Sequence, residues 1–295
     1  MKARLFRPAL VMALASVMIA ATRVEPQAAP AGFPARVLIT NDNGIDDPKI
    51  VALARAFARH AETWVVAPAA DRSGSGSYLT VTKTGMLSVE RRDLGAGIRA
   101  FAVDGYPADC VVLALLGLMK DSLPDLVISG INGGANLGAD WFGSGTIGAA
   151  RIAALAGIPA IAVSGLDDDL PGAVEAAVDW VVRLAASSVV QSLDPPDYLT
   201  VSLPRLSPDQ IRGVRVTDRA PLRVVPQLRA VNATTWRVVG TDEIAAPAPA
   251  DSDQAMWEQG YIVVVPMRAD EIDFERLVRW RRDGVGLPAW RADGQ

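Results

Sequence analysis

Short apolar runs bounded by turn residues, alternating with helix-patterned segments, constrain this chain more than any other feature. Arg36-Val-Leu-Ile-Thr40, Thr63-Trp-Val-Val-Ala67, Asp125-Leu-Val-Ile-Ser129 and Pro159 to Ser164 read as strands buried on both faces. Between and after them, Asp47 to Ala61, Ala108 to Lys120, an Ala-rich stretch ending near Ala156, and Ala173 to Ala186 carry helical spacing. In the first of these, Ile50, Leu53, Ala54 and Phe57 fall on one helical face. Strands that must each be covered by a helix before the next begins predict a doubly wound α/β domain with a mostly parallel, Rossmann-like sheet. Residues 79–103 read instead as short antiparallel strands around Gly95 and Gly97.

The pattern changes after Asp194-Pro-Pro-Asp197. Strand-like runs at 198–203, 213–217, 232–239 and 260–265 dominate, with proline-rich connections, and a charged surface helix is expected at about 269–282. The division is therefore residues 1–31 as leader and linker, 32–194 as the Rossmann-like catalytic core, and 195–295 as a β-rich region that completes the domain and the oligomer, appended as a subdomain or an oligomerisation arm.

The leader has the order of an export signal. Lys2, Arg4 and Arg7 precede an apolar or small-residue run from Ala9 to Thr22, too short for a comfortable membrane span. A Pro/Ala-rich stretch follows, with Ala29-Pro-Ala31 as a candidate cleavage site. The expected location is periplasmic or secreted, without a stable membrane anchor.

Composition narrows the chemistry. One cysteine, Cys110, cannot form an internal disulfide, and with one histidine, His60, a Cys/His zinc site is out of reach. A metal here must rest on oxygen ligands, which favours magnesium or manganese. The net charge of −4 offers no basic surface to a nucleic-acid polymer. Cys110 lies in an apolar helix and reads as inert, and His60 reads as a surface or capping residue at a helix end. Asp167-Asp-Asp169 reads as a solvated loop.

In an open parallel sheet, ligands bind beyond the carboxyl ends of the strands. Three such ends carry polar, glycine-rich sequence: Thr40-Asn-Asp-Asn-Gly44, Ala67-Pro-Ala-Ala-Asp-Arg-Ser73-Gly-Ser-Gly76, and Ser129-Gly-Ile-Asn132-Gly-Gly-Ala-Asn136-Leu-Gly138. Each could be only a turn, but all three converge on one edge of one sheet. Asp42 offers a carboxylate, Asn43 and Asn132 amide oxygens, and Ser73 a hydroxyl, all hard donors. Asn41 and Asn136 stand in the same loops as supporting groups. Ser144-Gly145-Thr146 opens a helix, where backbone N–H groups favour phosphate. Gly143-Ser-Gly145-Thr-Ile-Gly148 has the literal form of a dinucleotide-binding glycine motif, but no clean strand precedes it.

The segments RVLITNDNGIDDPKI, VVAPAADRSGSGSYLT, DGYPADCVVLAL, PDLVISGINGGANLG, GSGTIGAARIAALAGIPAIAVS and QGYIVVVPM resemble successive signatures of the SurE family. The resemblance runs from about Arg36 to Met267. It implies a metal-dependent 5'/3'-nucleotidase acting on nucleoside monophosphates, in some members also an exopolyphosphatase. It implies metal ligation by Asp42, Asn43, Ser73 and Asn132, with Asp42 and Asn43 at the catalytic centre. Phosphate contact falls on Ser144, Gly145 and Thr146, and the β-rich part is expected to form a homodimer or homotetramer. Three features depart from the family pattern. The second of two consecutive aspartates is Asn43 here, Lys49 replaces a small residue, and the family is typically cytoplasmic. Two alternatives stay open: a broad acid phosphatase or exopolyphosphatase that scavenges phosphate, and a nucleotide-binding homologue weakened at Asn43.

Overall fold

The computed structural model describes residues 32–82, 85–166, 170–221, 227–239, 248–271 and 273–283. The leader read over residues 1–31 and the run Asp167-Asp-Asp169 lie outside them.

β1 (Arg36–Thr40) is buried almost throughout. Its apolar side chains alternate between the two faces of the sheet, and each fully buried Leu or Ile contributes roughly 1.5–3 kcal/mol. α1 (Pro48–Phe57) starts where Asp47 caps it by accepting from the N–H of Lys49, with Pro48 in the first turn. β2 (Glu62–Pro68) pairs parallel to β1. β3 (Val89–Arg92) and β4 (Ile98–Val103) are antiparallel to each other, as expected, yet β4 also joins β2 in parallel. α2 (Pro107–Leu113) runs on into one π-helical turn at Ala114–Leu118 and stops short of the expected Lys120. β5 (Leu126–Ser129) lies on the other side of β1, parallel to it, with Thr40 opposite Ser129. α3 (Gly145–Leu155), β6 (Ala160–Ser164), α4 (Ala173–Ala185) and the short α5 (Ser188–Gln191) complete the alternating part.

The strands beyond residue 194 do not form a separate layer. β7 (Asp197–Ser202) continues the sheet in parallel with β6. β8 (Val214–Val216) forms the edge, β9 (Gln227–Ala230) and β10 (Trp236–Val239) make a separate hairpin, and α6 (Asp253–Glu258) follows. β11 (Ile262–Arg268) inserts between β7 and β8, antiparallel to the first and parallel to the second. The nine-stranded order is β3-β4-β2-β1-β5-β6-β7-β11-β8. The C-terminal region thus completes the domain's sheet, and the hairpin alone is set apart as a second sheet. α7 (Phe274–Asp283) matches the expected charged surface helix.

Two apolar cores flank the sheet. Ile39, Ile50, Leu53 and Phe57 meet Val178 and Val181 of α4 on one face. Leu38, Val66 and Val127 meet Cys110 and Val111 of α2 and Ala150 and Ala153 of α3 on the other. No helix among the described residues is long and apolar enough to cross a membrane.

Candidate active site

β1 is followed by β2 on one side, and the chain later returns to place β5 on the other. That reversal opens a crevice beyond the carboxyl ends of β1 and β5. The three loops expected to carry the site leave β2, β1 and β5, which are adjacent strands. They are stitched together by backbone hydrogen bonds. The N–H of Arg72 donates to the carbonyl of Asp42 at 2.7 Å, that of Ile45 to Pro68 at 2.8 Å, and that of Gly130 to Thr40 at 2.8 Å. Asn41 is fully buried and closes the first loop on itself, donating from Nδ2 to the Gly44 carbonyl (2.8 Å) and accepting from the Gly44 N–H (3.2 Å). Asn41 thereby fixes the turn of this loop.

Asp42 is only 3% exposed, an unusual place for a carboxylate. Its Oδ1 accepts from the Thr146 hydroxyl at 2.7 Å and its Oδ2 from the Thr146 N–H at 3.1 Å, so the positive end of α3 is aimed at it. Burial pushes its pKa up, the Thr146 hydrogen bonds oppose that, and the nearby Asp71 carboxylate adds to the rise. The amide oxygen of its neighbour Asn43 is buried with no described hydrogen-bond donor. A desolvated carboxylate beside an orphaned amide oxygen is a pair that a bound cation would satisfy. Asn132 stands in the loop that follows β5. Its Nδ2 donates to the Gly134 carbonyl at 2.7 Å, and its backbone is pinned to Val163 and Gly165. Ser73 sits at the solvent side, and its hydroxyl donates to Asp71 at 2.6 Å. These donors are all hard oxygens and fit a magnesium- or manganese-type ion. Among the described residues no three His, Cys, Asp or Glu side chains gather into a metal group. A cation here would therefore rest on amide and hydroxyl oxygens beside Asp42.

The start of α3 is more committed than its sequence suggested. The Ser144 side chain caps the helix, accepting from the Ile147 N–H at 3.1 Å. Thr146 gives both its donors to Asp42. Gly145 lies directly against the loops: a methyl group there would stand 2.7 Å from Ser75 Oγ and 3.1 Å from Asp42 Oδ2. Gly148 packs on the backbone of Gly76. The glycine pattern of 143–148 is thus accounted for by close approach of helix and loop. It follows a 3-10 turn at Gly138–Phe142 rather than a strand, which removes the dinucleotide reading.

Three contributors were not singled out from sequence. The Ser75 hydroxyl is buried, unpartnered, and next to Asp42 and Gly145. Asp71 holds Ser73. The third is the buried pair Arg219–Asp253, at 3.4 Å. The Arg219 guanidinium donates to the carbonyls of Asn136 (3.0 Å) and Gly138 (3.2 Å) and to Thr200 Oγ1 (2.8 Å). Asp253 accepts from the N–H groups of Gly138 (2.9 Å) and Ala220 (2.8 Å). Together they clamp the loop that carries Asn132. Asn136 supports the same loop, donating to Ser164 Oγ at 2.7 Å. Ser75 and Asp71 lie in a run already noted, but Arg219 and Asp253 are isolated charges remote in sequence. Lys49 is buried and ion-paired with Asp47 at 3.2 Å. The His60 ring packs by Phe33, and burial pushes the Cys110 thiol far up, so neither serves the site.

Comparison with known proteins agrees with this geometry. Residues 37–224 match the family described as Survival protein SurE. The chain is 37% identical over 261 residues to 5'-nucleotidase SurE 1 of Burkholderia lata, covering 83% of this chain and 95% of that protein. It is 38% identical over 246 residues to 5'-nucleotidase SurE of Pseudomonas aeruginosa, covering 80% and 92%. The crystal structure of SurE protein from Aquifex aeolicus superposes with a TM-score of 0.69 at 28% identity, covering 84% of this chain and all of that one. With the mostly parallel sheet, the convergent loops and these matches in agreement, the chain belongs to the SurE family.

Proposed function

We propose that this chain is a divalent-cation-dependent 5'-nucleotidase that hydrolyses nucleoside monophosphates, with magnesium or manganese held by Asp42, Asn43, Ser73 and Asn132. The observation that carries the reading is the buried Asp42 carboxylate, gripped by Thr146 beside the orphaned oxygen of Asn43 at the sheet's switch point. The names of the relatives, 5'-nucleotidases, supply the substrate class. The cation, when bound, would offset charge on the phosphoryl oxygens. Thr146 holds Asp42 in one orientation through both carboxylate oxygens, which suits a ligand and lowers its nucleophilicity. The attacking oxygen is therefore assigned to water. With both Thr146 donors on Asp42 and the Ser144 side chain capping the helix, the start of α3 would act on a phosphate through the helix dipole and not through these two side chains.

The substrate panel is the test. Initial rates on 5'- and 3'-nucleoside monophosphates, p-nitrophenyl phosphate and polyphosphate should show the highest kcat/KM for a 5'-nucleotide. Best turnover of polyphosphate or p-nitrophenyl phosphate would favour the scavenging reading, and no turnover at all the weakened homologue.

The basic, apolar and Pro/Ala order of residues 1–31 supports export to the periplasm or beyond. Native protein should then begin between about Ala21 and Gly32 by N-terminal sequencing. A start at Met1 in a cytosolic fraction refutes it. Assembly into a homodimer or homotetramer is supported by Leu228, Val231 and Trp236, exposed on the β9–β10 hairpin and its turn.

A further inference from the structure

We propose that Asp71 is a positioning residue of this site, which fixes Ser73 and supplies the second negative charge that the first loop lacks because residue 43 is Asn. The inference rests on the reading of the crevice as a cation site.

Asp71 leaves the loop after β2 with one carboxylate oxygen already in use. Its Oδ1 accepts from both the N–H (2.8 Å) and the hydroxyl (2.6 Å) of Ser73. That orients the Ser73 hydroxyl proton towards Asp71 and leaves the oxygen's lone pairs for a cation. The loop is locked against the first loop at two points. The Arg72 N–H donates to the Asp42 carbonyl, and a methyl group at Gly44 would stand 3.3 Å from the backbone of Ala70. The Asp71 backbone is thus held beside the loop that carries Asp42. The nearest cationic neighbour in sequence does not cancel it. The Arg72 guanidinium turns to Asp104 at 3.0 Å and lies 5.3 Å over the Tyr106 ring. A second carboxylate in the loop packed against Asp42 acts on a divalent ion through the field even without direct contact.

Asp71→Asn isolates the charge, because the amide oxygen can still accept from Ser73. Asp71→Ala removes charge and orientation together. Mn(II) binding to the full-length purified protein, followed by the EPR signal of free Mn(II), reads both without reference to turnover. Asp71→Asn should weaken the Mn(II) Kd roughly 10-fold, and Asp71→Ala up to roughly 100-fold, the range for groups that support metal ligands. Asn43→Asp added to Asp71→Asn should return the Kd to within about threefold of wild type, since one carboxylate replaces another. A thermal melt in chelator should show all variants folded, with Asp71→Asn no less stable than wild type. An unchanged Kd in Asp71→Asn, or a loss that Asn43→Asp does not recover, overturns the role of Asp71 alone. Failure of the wild type itself to bind Mn(II) overturns the cation site as well.

Discussion

Replacing Asp42 with Ala should reduce turnover of a 5'-nucleotide by about three orders of magnitude or more, the scale of removing a central charged group from a reacting site. The fold should survive, because Asp42 caps a strand and does not fill either core. Its effect on stability has a definite sign. Burial raises the Asp42 pKa above the unfolded value near 3.8. A carboxyl group raised in this way stabilises the fold only while protonated. Its contribution is fully present below the unfolded pKa and is lost as pH rises through the folded one. In chelator, Asp42→Asn should therefore gain on wild type in melting temperature as pH rises from about 4 towards neutrality, and added Mn(II) should narrow the gap by stabilising wild type alone. Melts that show Asp42→Ala unfolded would make Asp42 structural. A difference between wild type and Asp42→Asn that stays flat with pH would remove the buried charge from the description.

The second large effect is expected at Gly148. A methyl group there would stand 2.1 Å from the carbonyl oxygen and 2.4 Å from the carbonyl carbon of Gly76. Both are backbone atoms, held by the Gly76 N–H bond to the Gly143 carbonyl at 2.8 Å, so no side chain can swing aside. Gly148→Ala should cost about 3 kcal/mol or more, at the upper end of overpacking. It should also disturb Asp42, because the displaced helix start carries Thr146. Gly143→Ala is the control within the same glycine pattern. Nothing lies within 4 Å of the added carbon and its φ is ordinary for any residue, so its stability should move by less than about 0.5 kcal/mol. Denaturant midpoints measure both. Equal tolerance at the two positions would refute the close packing of α3 on the Ser73–Ser77 loop.

The core of the fold was legible because β1, β2, β5 and β6 are continuous apolar runs, and such runs between helices admit few topologies. Residues 79–103 read as short antiparallel strands; Val89–Arg92 and Ile98–Val103 form such a pair, Thr80–Thr82 is a 3-10 turn instead, and the parallel pairing of β4 with β2 depends on a partner thirty-five residues away in sequence. The C-terminal strands were legible as completing the domain, but the order in which they join the main sheet was not. β11 reaches β7 across the hairpin and α6, and no local pattern records that pairing. In the site, the placement of Asp42, Asn43, Ser73 and Asn132 was legible, because turn-forming residues follow buried strands there. What could not be read is which donors are already engaged. Thr146 looked like a phosphate contact and is found holding Asp42. Ser144 has the residue type of a helix cap and serves as one. Arg219 and Asp253 are single charges in a proline-rich region, and only the folded chain brings them onto the Asn132 loop.

Phosphate release from a 5'-nucleotide after exhaustive chelation is the most direct measurement of the central claim, that oxygen donors around Asp42 hold a divalent cation essential to hydrolysis. Asn-Gly sequences can convert to Asp, so peptide mass spectrometry should first verify Asn at position 43. Chelated wild type should be inactive, manganese or magnesium should restore it, and Asp42→Ala should stay inactive at any metal concentration. Full activity in excess chelator, or metal-restored activity in Asp42→Ala, would contradict it.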